Sequence, residues 1–261
     1  MDLGIAGKTA LVTGASGGLG RAIAVALAAE GAHVAIAARR ADALQETAEL
    51  IERTGGRALP LVWDLNQLGL IDDRIAEIEG KFGPCEILVN NTGGPPPHTA
   101  AGAAPELWSH QFNAMVLSVI GITDRVLPAM RRTGWGRVIT TASSGVIAPL
   151  PNLAMSNALR LSLVGWSKTL AAEVAREGVT VNVVAPGRID TDRVRALDTA
   201  RAARESRSVD EVSAASRATI PVGRYGRPEE LAAMVAFLAG CPASYITGAI
   251  HRVDGGLLAS V

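Results

Sequence analysis

The chain has 261 residues, 48% of them hydrophobic, and its 25 Lys and Arg balance 25 Asp and Glu. This length and composition allow one large α/β domain or two small ones with a substantial core. Zero net charge provides no field that would attract nucleic acid or an anionic membrane surface, so neither partner is expected.

The cysteines and the beginning of the chain indicate the compartment. Cys85 and Cys241 lie far apart, which suits buried thiols in a reducing compartment better than a disulfide framework or a metal site. The first residues lack the features of a secretion signal, and no apolar run approaches the ~20 residues that a membrane span needs. We expect a cytoplasmic protein without a metal.

Predicted strands and helices alternate along the chain. The strands are expected at 9–12, 33–38, 58–64, 86–89, 137–141, 179–184 and 250–253. The helices are expected at 21–30, 42–53, 68–82, 105–132, 153–177 and 228–239. This alternation implies parallel strands with right-handed crossovers. The pattern predicts an α/β fold, a single doubly wound Rossmann-type domain over residues 1–261 with helices on both faces of the sheet.

The glycine-rich segment TGASGGLG, residues 13–20, joins the first predicted strand to the first predicted helix. Glycines at this position let a pyrophosphate approach the backbone, where the first N–H groups and the positive end of the helix dipole attract it. An ordinary glycine-rich turn is the alternative. The strand before the segment and the helix after it favour dinucleotide binding.

The end of the second strand bears on the choice of cofactor. In NAD-selective sites a carboxylate there binds the adenosine ribose and repels a 2′-phosphate. Here Ala38 is followed by Arg39 and Arg40, whose guanidinium forks suit phosphate. NADP is therefore expected rather than NAD, with a solvated basic pair as the alternative. Asp64 and Leu65, after the third strand, are placed to hold an adenine edge.

The segment 188–219 is polar, with seven arginines against six carboxylates. Long insertions after a strand's carboxyl end commonly act as lids, so mobile helices over the ligand crevice are predicted. Its arginines could receive an acidic substrate or an acyl carrier, although the interspersed carboxylates favour a solvated helix surface. These arginines include Arg193, Arg195, Arg201, Arg204 and Arg207.

Over nearly its whole length the chain resembles the short-chain dehydrogenase/reductase family. The matching motifs are TGASGGLG at 13–20, Asp64-Leu65, NNTG at 90–93, Ser143 after the fifth strand, VNVVAPG at 181–187 with Thr191, RYGRPEEL at 224–231, YITG at 245–248 and VDGG at 253–256. The resemblance implies a seven-stranded sheet, a nicotinamide dinucleotide and a small-molecule substrate. It also implies a homo-oligomer, a tetramer or dimer, with interfaces on the two long helices and the C-terminal strand region.

The resemblance also implies which residues contact the dinucleotide. These are Gly14, Ser16, Gly18, Leu19, Gly20, Arg39, Arg40, Asp64, Leu65, Asn91, Gly93, Arg160, Pro186, Gly187, Ile189 and Thr191.

Members of the family transfer a hydride between nicotinamide and a carbonyl or alcohol. They use a tyrosine, a lysine four residues later, a serine thirteen residues earlier and an asparagine on the preceding long helix. Aligned without gaps on 163–168 and 181–187, this chain has Ser156, Arg160 and Ser143 at the first three positions. Met115 falls on the asparagine position, and the nearby Asn113 is expected to point to another side of the helix.

Three of the four catalytic positions are therefore changed. A serine hydroxyl is far less acidic than a phenol, and Arg160 can bind ribose hydroxyls but relays protons poorly. Positioned acid catalysis contributes about 10²–10⁴-fold, so ordinary carbonyl reduction should be slower by a similar factor. The only tyrosines, Tyr225 and Tyr245, belong to matched C-terminal motifs rather than to the active site.

His98, on the loop after NNTGGPPP, has a ring suited to proton transfer; a merely exposed loop histidine is the alternative. The leading hypothesis is an NADP-dependent oxidoreductase for an unidentified carbonyl or alcohol, with Ser143, Ser156 and Arg160 as its catalytic residues. A catalytically silent NADP-binding sensor or partner subunit is the alternative, and 3-oxoacyl thioester reduction is a weaker one.

Overall fold

Residues 1–260, the part of the chain that the computed structural model describes, contain one seven-stranded sheet in the order β3-β2-β1-β4-β5-β6-β7. Every neighbouring pair is parallel. The strands are β1 Thr9–Thr13, β2 His33–Ala38, β3 Arg57–Val62, β4 Ile87–Asn90, β5 Gly136–Thr141, β6 Val179–Pro186 and β7 Ile250–Val253. The strand order reverses between β1 and β4, which opens a crevice at the carboxyl ends of these strands.

Eight helices cover the sheet within the same residues. They are α1 Gly18–Ala29, α2 Ala41–Arg53, α3 Ile71–Phe82, α4 Pro105–Thr133, α5 Ala154–Val174, α6 Asp192–Glu205, α7 Val209–Ala218 and α8 Pro228–Ala239. Side chains of α1, α2 and α8 form the core on one face of the sheet, including Ile23 and Val235. Those of α3, α4 and α5 form the core on the other, including Ile75 and Leu170. The predicted doubly wound Rossmann-type domain is confirmed.

Several element boundaries differ from the prediction. α1 begins at Gly18 rather than at 21, so two glycines of the glycine-rich segment lie in its first turn. A π-helical turn, Asn113–Leu117, interrupts α4, which was predicted as one continuous helix. Hydrophobic spacing does not reveal such a turn, because a single wider turn changes the helical phase only locally.

The helix α4 is long and apolar enough to cross a membrane by length and composition alone, with a mean hydropathy of 1.2 over its most apolar window. No apolar run of this kind was expected from the sequence. Half of the window is buried inside the protein, where Val119, Ile122 and Val126 are nearly inaccessible to solvent. The segment therefore has the position of a core helix.

The two cysteines are both free, but they differ in exposure. Cys85 is buried, and desolvation raises the pKa of its thiol to about 12. Cys241 is exposed, so the expectation that both thiols are buried was wrong for this residue. It opens the short 3₁₀ turn after α8, at the protein surface beside Gly4.

Candidate active site

A cavity of about 1020 Å³ occupies the crevice at the carboxyl ends of the strands. Its walls come from the glycine-rich segment, the end of β2, the loop after β4, the loop after β5, the beginning of α5 and the segment from Pro186 into α6. A second cavity of about 1080 Å³ lies on the outer side of α1, between α2 and α8. Only the first contains the carboxyl ends of several strands, where ligands of open α/β sheets bind.

The glycine-rich segment forms a close-fitting turn. Gly14 has φ +62°, and a Cβ atom there would lie 2.4 Å from the carbonyl oxygen of Asn91. A Cβ atom on Gly20 would lie 2.2 Å from the carbonyl oxygen of Gly14, so neither position accepts a side chain. Gly17, by contrast, faces open space, and no side chain caps the beginning of α1. The free N–H groups of this first turn fit the pyrophosphate of a dinucleotide.

Asn91 supports this turn from β4. Its amide nitrogen donates to the carbonyl oxygens of Thr13 (3.2 Å) and Gly14 (3.3 Å). Its amide oxygen accepts a hydrogen bond of 3.1 Å from the hydroxyl of Thr141 on β5. One side chain thus joins the carboxyl ends of three strands. Asn91 lines the cavity, as do Gly14, Ser16, Gly18, Leu19 and Gly93, whereas Gly20 packs beneath the turn.

The adenosine end of the cavity lies at the carboxyl ends of β2 and β3. Arg39 and Arg40 line it and form no ion pair within residues 1–260, so both guanidinium groups are free to meet an anion. Asp64 and Leu65 lie opposite, and the carboxylate of Asp64 accepts a hydrogen bond from the backbone N–H of Asn66 at 3.0 Å.

Trp63, Asn66 and His110 also line this end, although the sequence did not predict them as site residues. The indole N–H of Trp63 is buried without a hydrogen-bond partner among the described residues. A buried donor that lacks a partner is costly, which is consistent with a ligand at this end. A tryptophan within a predicted strand is more simply interpreted as part of the core.

The residues predicted at the four catalytic positions meet in the same cavity. Ser143, Ser156, Arg160 and Met115 all line it. The hydroxyl of Ser143 accepts a hydrogen bond of 3.1 Å from the backbone N–H of Gly145, which fixes the loop after β5. Ser156 is 9% exposed and Met115 2%.

Neither tyrosine belongs to the cavity wall within the described residues. The phenol of Tyr225 donates to the carboxylate of Asp198 at 2.6 Å, and Tyr245 is fully exposed. His98 lies at the rim, where its backbone N–H donates to Asn152 and its ring contacts the carbonyl oxygen of Thr99. Its ring is not part of the wall, so the structure does not support it as a proton donor.

Arg160 is buried on the floor of the cavity. Its guanidinium donates to the carbonyl oxygens of Thr141 (3.0 Å), Gly93 (3.0 Å) and Thr92 (3.3 Å). Burial and, second, the positive charge of Arg193 lower its pKa to about 10, which leaves it protonated at neutral pH. The side chain was predicted to bind ribose hydroxyls. The structure shows it holding the loop after β4 against the end of β5, within the same cavity.

The segment from Pro186 to Thr191 closes the cavity on the side of β6. Pro186, Gly187, Ile189 and Thr191 line it. The hydroxyl of Thr191 caps α6 by accepting a hydrogen bond from the N–H of Val194. The helix α6 then lies along the crevice and contributes lining residues, whereas α7 contributes none within the described chain.

These features define a Rossmann-type dinucleotide-binding protein. A family model described as enoyl-(acyl carrier protein) reductase matches residues 14–258. The 3-oxoacyl-[acyl-carrier-protein] reductase FabG of Escherichia coli is 38% identical over 253 residues, which cover 96% of this chain and 97% of the relative. The chain belongs to the short-chain dehydrogenase/reductase family and is similar to its 3-oxoacyl-[acyl-carrier-protein] reductases.

Solved structures agree with this assignment. L-Sorbose reductase from Gluconobacter frateurii, complexed with NADPH and L-sorbose, has a TM-score of 0.94 and is 34% identical, with both chains covered completely. Actinorhodin polyketide ketoreductase with NADPH has a TM-score of 0.92 at 34% identity, covering 96% of this chain and 97% of that one. Both neighbours are reductases that hold NADPH.

Proposed function

We propose that the protein is an NADP-dependent oxidoreductase that transfers a hydride between nicotinamide and the carbon of a carbonyl or alcohol. The observation that carries this proposal is one continuous cavity that joins the glycine-rich turn to Ser143. Membership of an oxidoreductase family and reductase neighbours with bound NADPH support it. The cofactor, when bound, supplies or accepts the hydride.

The chain's own residues would divide the work along the cavity. The first turn of α1 would bind the pyrophosphate, and Arg39 and Arg40 would bind a 2′-phosphate. Ser143 would donate a hydrogen bond to the substrate oxygen, which becomes more negative during reduction. Ser156 would act as a weak hydrogen-bond donor in place of the usual phenol. Arg160 would keep the loop after β4 in place against the end of β5 and contribute positive charge.

Turnover tests the proposal. NADPH oxidation, followed by absorbance with a panel of aldehydes and ketones, should reveal a substrate, and Ser143→Ala should lower kcat/KM for it by roughly 10²–10³-fold, as for the loss of one oxyanion donor. Ser109→Ala, in the exposed part of α4, is the matched control and should leave the rate unchanged. Tight NADPH binding without oxidation of NADPH by any compound would instead support the catalytically silent alternative.

Cofactor choice has its own test. Arg39→Ala should weaken NADPH binding by about 10–100-fold, because a hydrogen bond to a charged group contributes about 1.5–3 kcal/mol, and should leave NADH binding nearly unchanged. Arg53→Ala, an exposed arginine on α2 that pairs with Glu49, is the control. Cofactor fluorescence titrations give both affinities. Equal binding of NADH and NADPH by the unmodified protein would contradict the proposed preference.

A further inference from the structure

One arginine of α6 differs from the others named in the segment 188–219. Arg195, Arg201, Arg204 and Arg207 each form an ion pair with a carboxylate of their own segment. Arg193 forms none within residues 1–260. Its guanidinium reaches across the mouth of the cavity, where one nitrogen donates to the carbonyl oxygen of Pro95 at 2.6 Å. Arg193 is exposed as a residue, and Arg201 and Arg204 also line the cavity, so Arg193 is distinguished by its lack of a carboxylate partner.

Arg193 and Arg160 together give one end of the cavity a positive charge. Arg160 binds the carbonyl oxygen of Gly93, and Arg193 binds that of Pro95, so the two guanidinium groups hold the same loop two residues apart. Burial lowers the pKa of Arg193, and the charge of Arg193 contributes to the lowered pKa of Arg160. Neither arginine forms an ion pair with a carboxylate within residues 1–260, so no described anion compensates the two charges.

The carboxylates that line the same cavity do not compensate this charge. Asp64 lies at the adenosine end, beside Asn66. Asp192 pairs with Arg195 at 2.7 Å, and Glu205 pairs with Arg201 at the same distance. The walls around Ser143 and Ser156 thus combine two arginines with neutral polar groups. A planar guanidinium with free donors binds a carboxylate well.

We propose that the substrate is a small oxo acid or hydroxy acid whose carboxylate binds Arg193 while its reacting oxygen faces Ser143. This inference rests on the proposed function and names its substrate class. The same two positive charges would stabilise the oxygen that becomes negative during reduction, which offsets part of the loss of the phenol. In the free protein the carbonyl oxygen of Pro95 holds Arg193 in place; a carboxylate would bind its remaining donors.

Ligand binding to the protein saturated with NADP⁺ tests the inference without turnover. The probes are 3-oxobutanoate and its methyl ester, which differ in charge, measured by calorimetry. The acid should bind at least roughly tenfold more tightly than the ester. Arg193→Ala should weaken binding of the acid by about 10–100-fold, because it removes a charged hydrogen-bond donor. It should leave the affinity of the ester unchanged. The affinity of Arg193→Lys for the acid should lie between those of the unmodified protein and Arg193→Ala, since lysine keeps the charge but lacks the forked guanidinium donors.

Arg217→Ala is the matched control: the same residue type on the neighbouring helix α7, hydrogen-bonded to Ser213 and outside the cavity wall. It should not change the affinity of either probe. Equal binding of acid and ester, equal effects of the two alanine variants, or preference for dihydroxyacetone phosphate over both oxo compounds would overturn the inference. Binding of the acid that depends on Arg193, with no NADPH oxidation, would retain the binding site and refute the proposed reaction. Reduction of neutral ketones without a preference for acids would support the proposed reaction and refute the carboxylate-binding site.

Discussion

Ser156, the residue predicted at the family's tyrosine position, lies in a cavity wall that contains no tyrosine within residues 1–260. Replacing Ser156 with Tyr and Arg160 with Lys together should raise kcat/KM for a generic ketone by about 10²–10⁴-fold, the usual contribution of positioned acid catalysis. Steady-state NADPH oxidation measures the gain. Each single variant serves as a control and should gain less, because the lysine acidifies the phenol. No gain in the double variant would mean that Met115 or the gap-free alignment is at fault.

The two thiols should react differently. At pH 8 a thiol-specific reagent should modify Cys241 quickly and leave Cys85 unmodified, because Cys85 is buried and its pKa is raised to about 12. Native protein should therefore release one equivalent of chromophore per chain, and denatured protein two. Cys241→Ser should abolish the fast reaction. Fast modification of the serine variant would show that Cys85 is accessible after all.

Much of the site could be predicted by counting residues between motifs, and some could not. The family resemblance, with the spacing of its motifs, predicted Ser143, Ser156, Arg160 and Met115 at the four catalytic positions, and the structure brings all four around one cavity. Spacing did not indicate that Arg160 binds carbonyl oxygens from two strand ends, because that depends on how far apart the ends of β4 and β5 lie. Spacing also did not indicate that Arg193 lacks an ion pair, because only the folded structure shows which arginines lie beside a carboxylate.

At the scale of elements, the sheet was predictable because buried parallel strands appear as short apolar runs. The position of α6 was harder to predict from the sequence. Asp198 looks like one more surface carboxylate in the sequence, yet the structure buries it, with Arg188 at 2.6 Å and the phenol of Tyr225 at the same distance. This cluster fastens α6 to the segment before α8. It defines the edge of the proposed substrate lid at 188–219.

Tyr225→Phe should destabilise the protein by about 1–3 kcal/mol, because it leaves a buried carboxylate oxygen without its donor. Tyr245→Phe is the matched control, since Tyr245 is the other tyrosine of the chain and is fully exposed. Urea unfolding of the two variants measures the difference. If both change the free energy of unfolding equally, the contact between Tyr225 and Asp198 does not hold α6.

At the scale of the whole molecule, we propose self-association through the two long helices. Phe112 and Leu117 on α4 and Leu161 on α5 are large apolar side chains that are between 37% and 51% exposed. Exposed apolar side chains on both long helices fit the contact that the family resemblance implies for these helices. The strand β7 is a sheet edge, with Ile250 38% exposed, and offers a second contact region.

Leu161→Arg should reduce the assembled mass measured by light scattering, because it places a charge in the proposed interface. Val209→Arg is the control: Val209 on α7 is 43% exposed but lies outside both long helices. It should leave the mass unchanged. A monomeric unmodified protein at micromolar concentration would contradict the proposed assembly.

The contacts of Arg160 also bear on how this active site could have changed during evolution. One guanidinium reaches three backbone oxygens at once, whereas a lysine ammonium concentrates its donors on a single nitrogen. A lysine at position 160 would leave some of these buried oxygens without a donor, which costs stability. Evolution of this protein toward a lysine at that position would therefore need a compensating change nearby first.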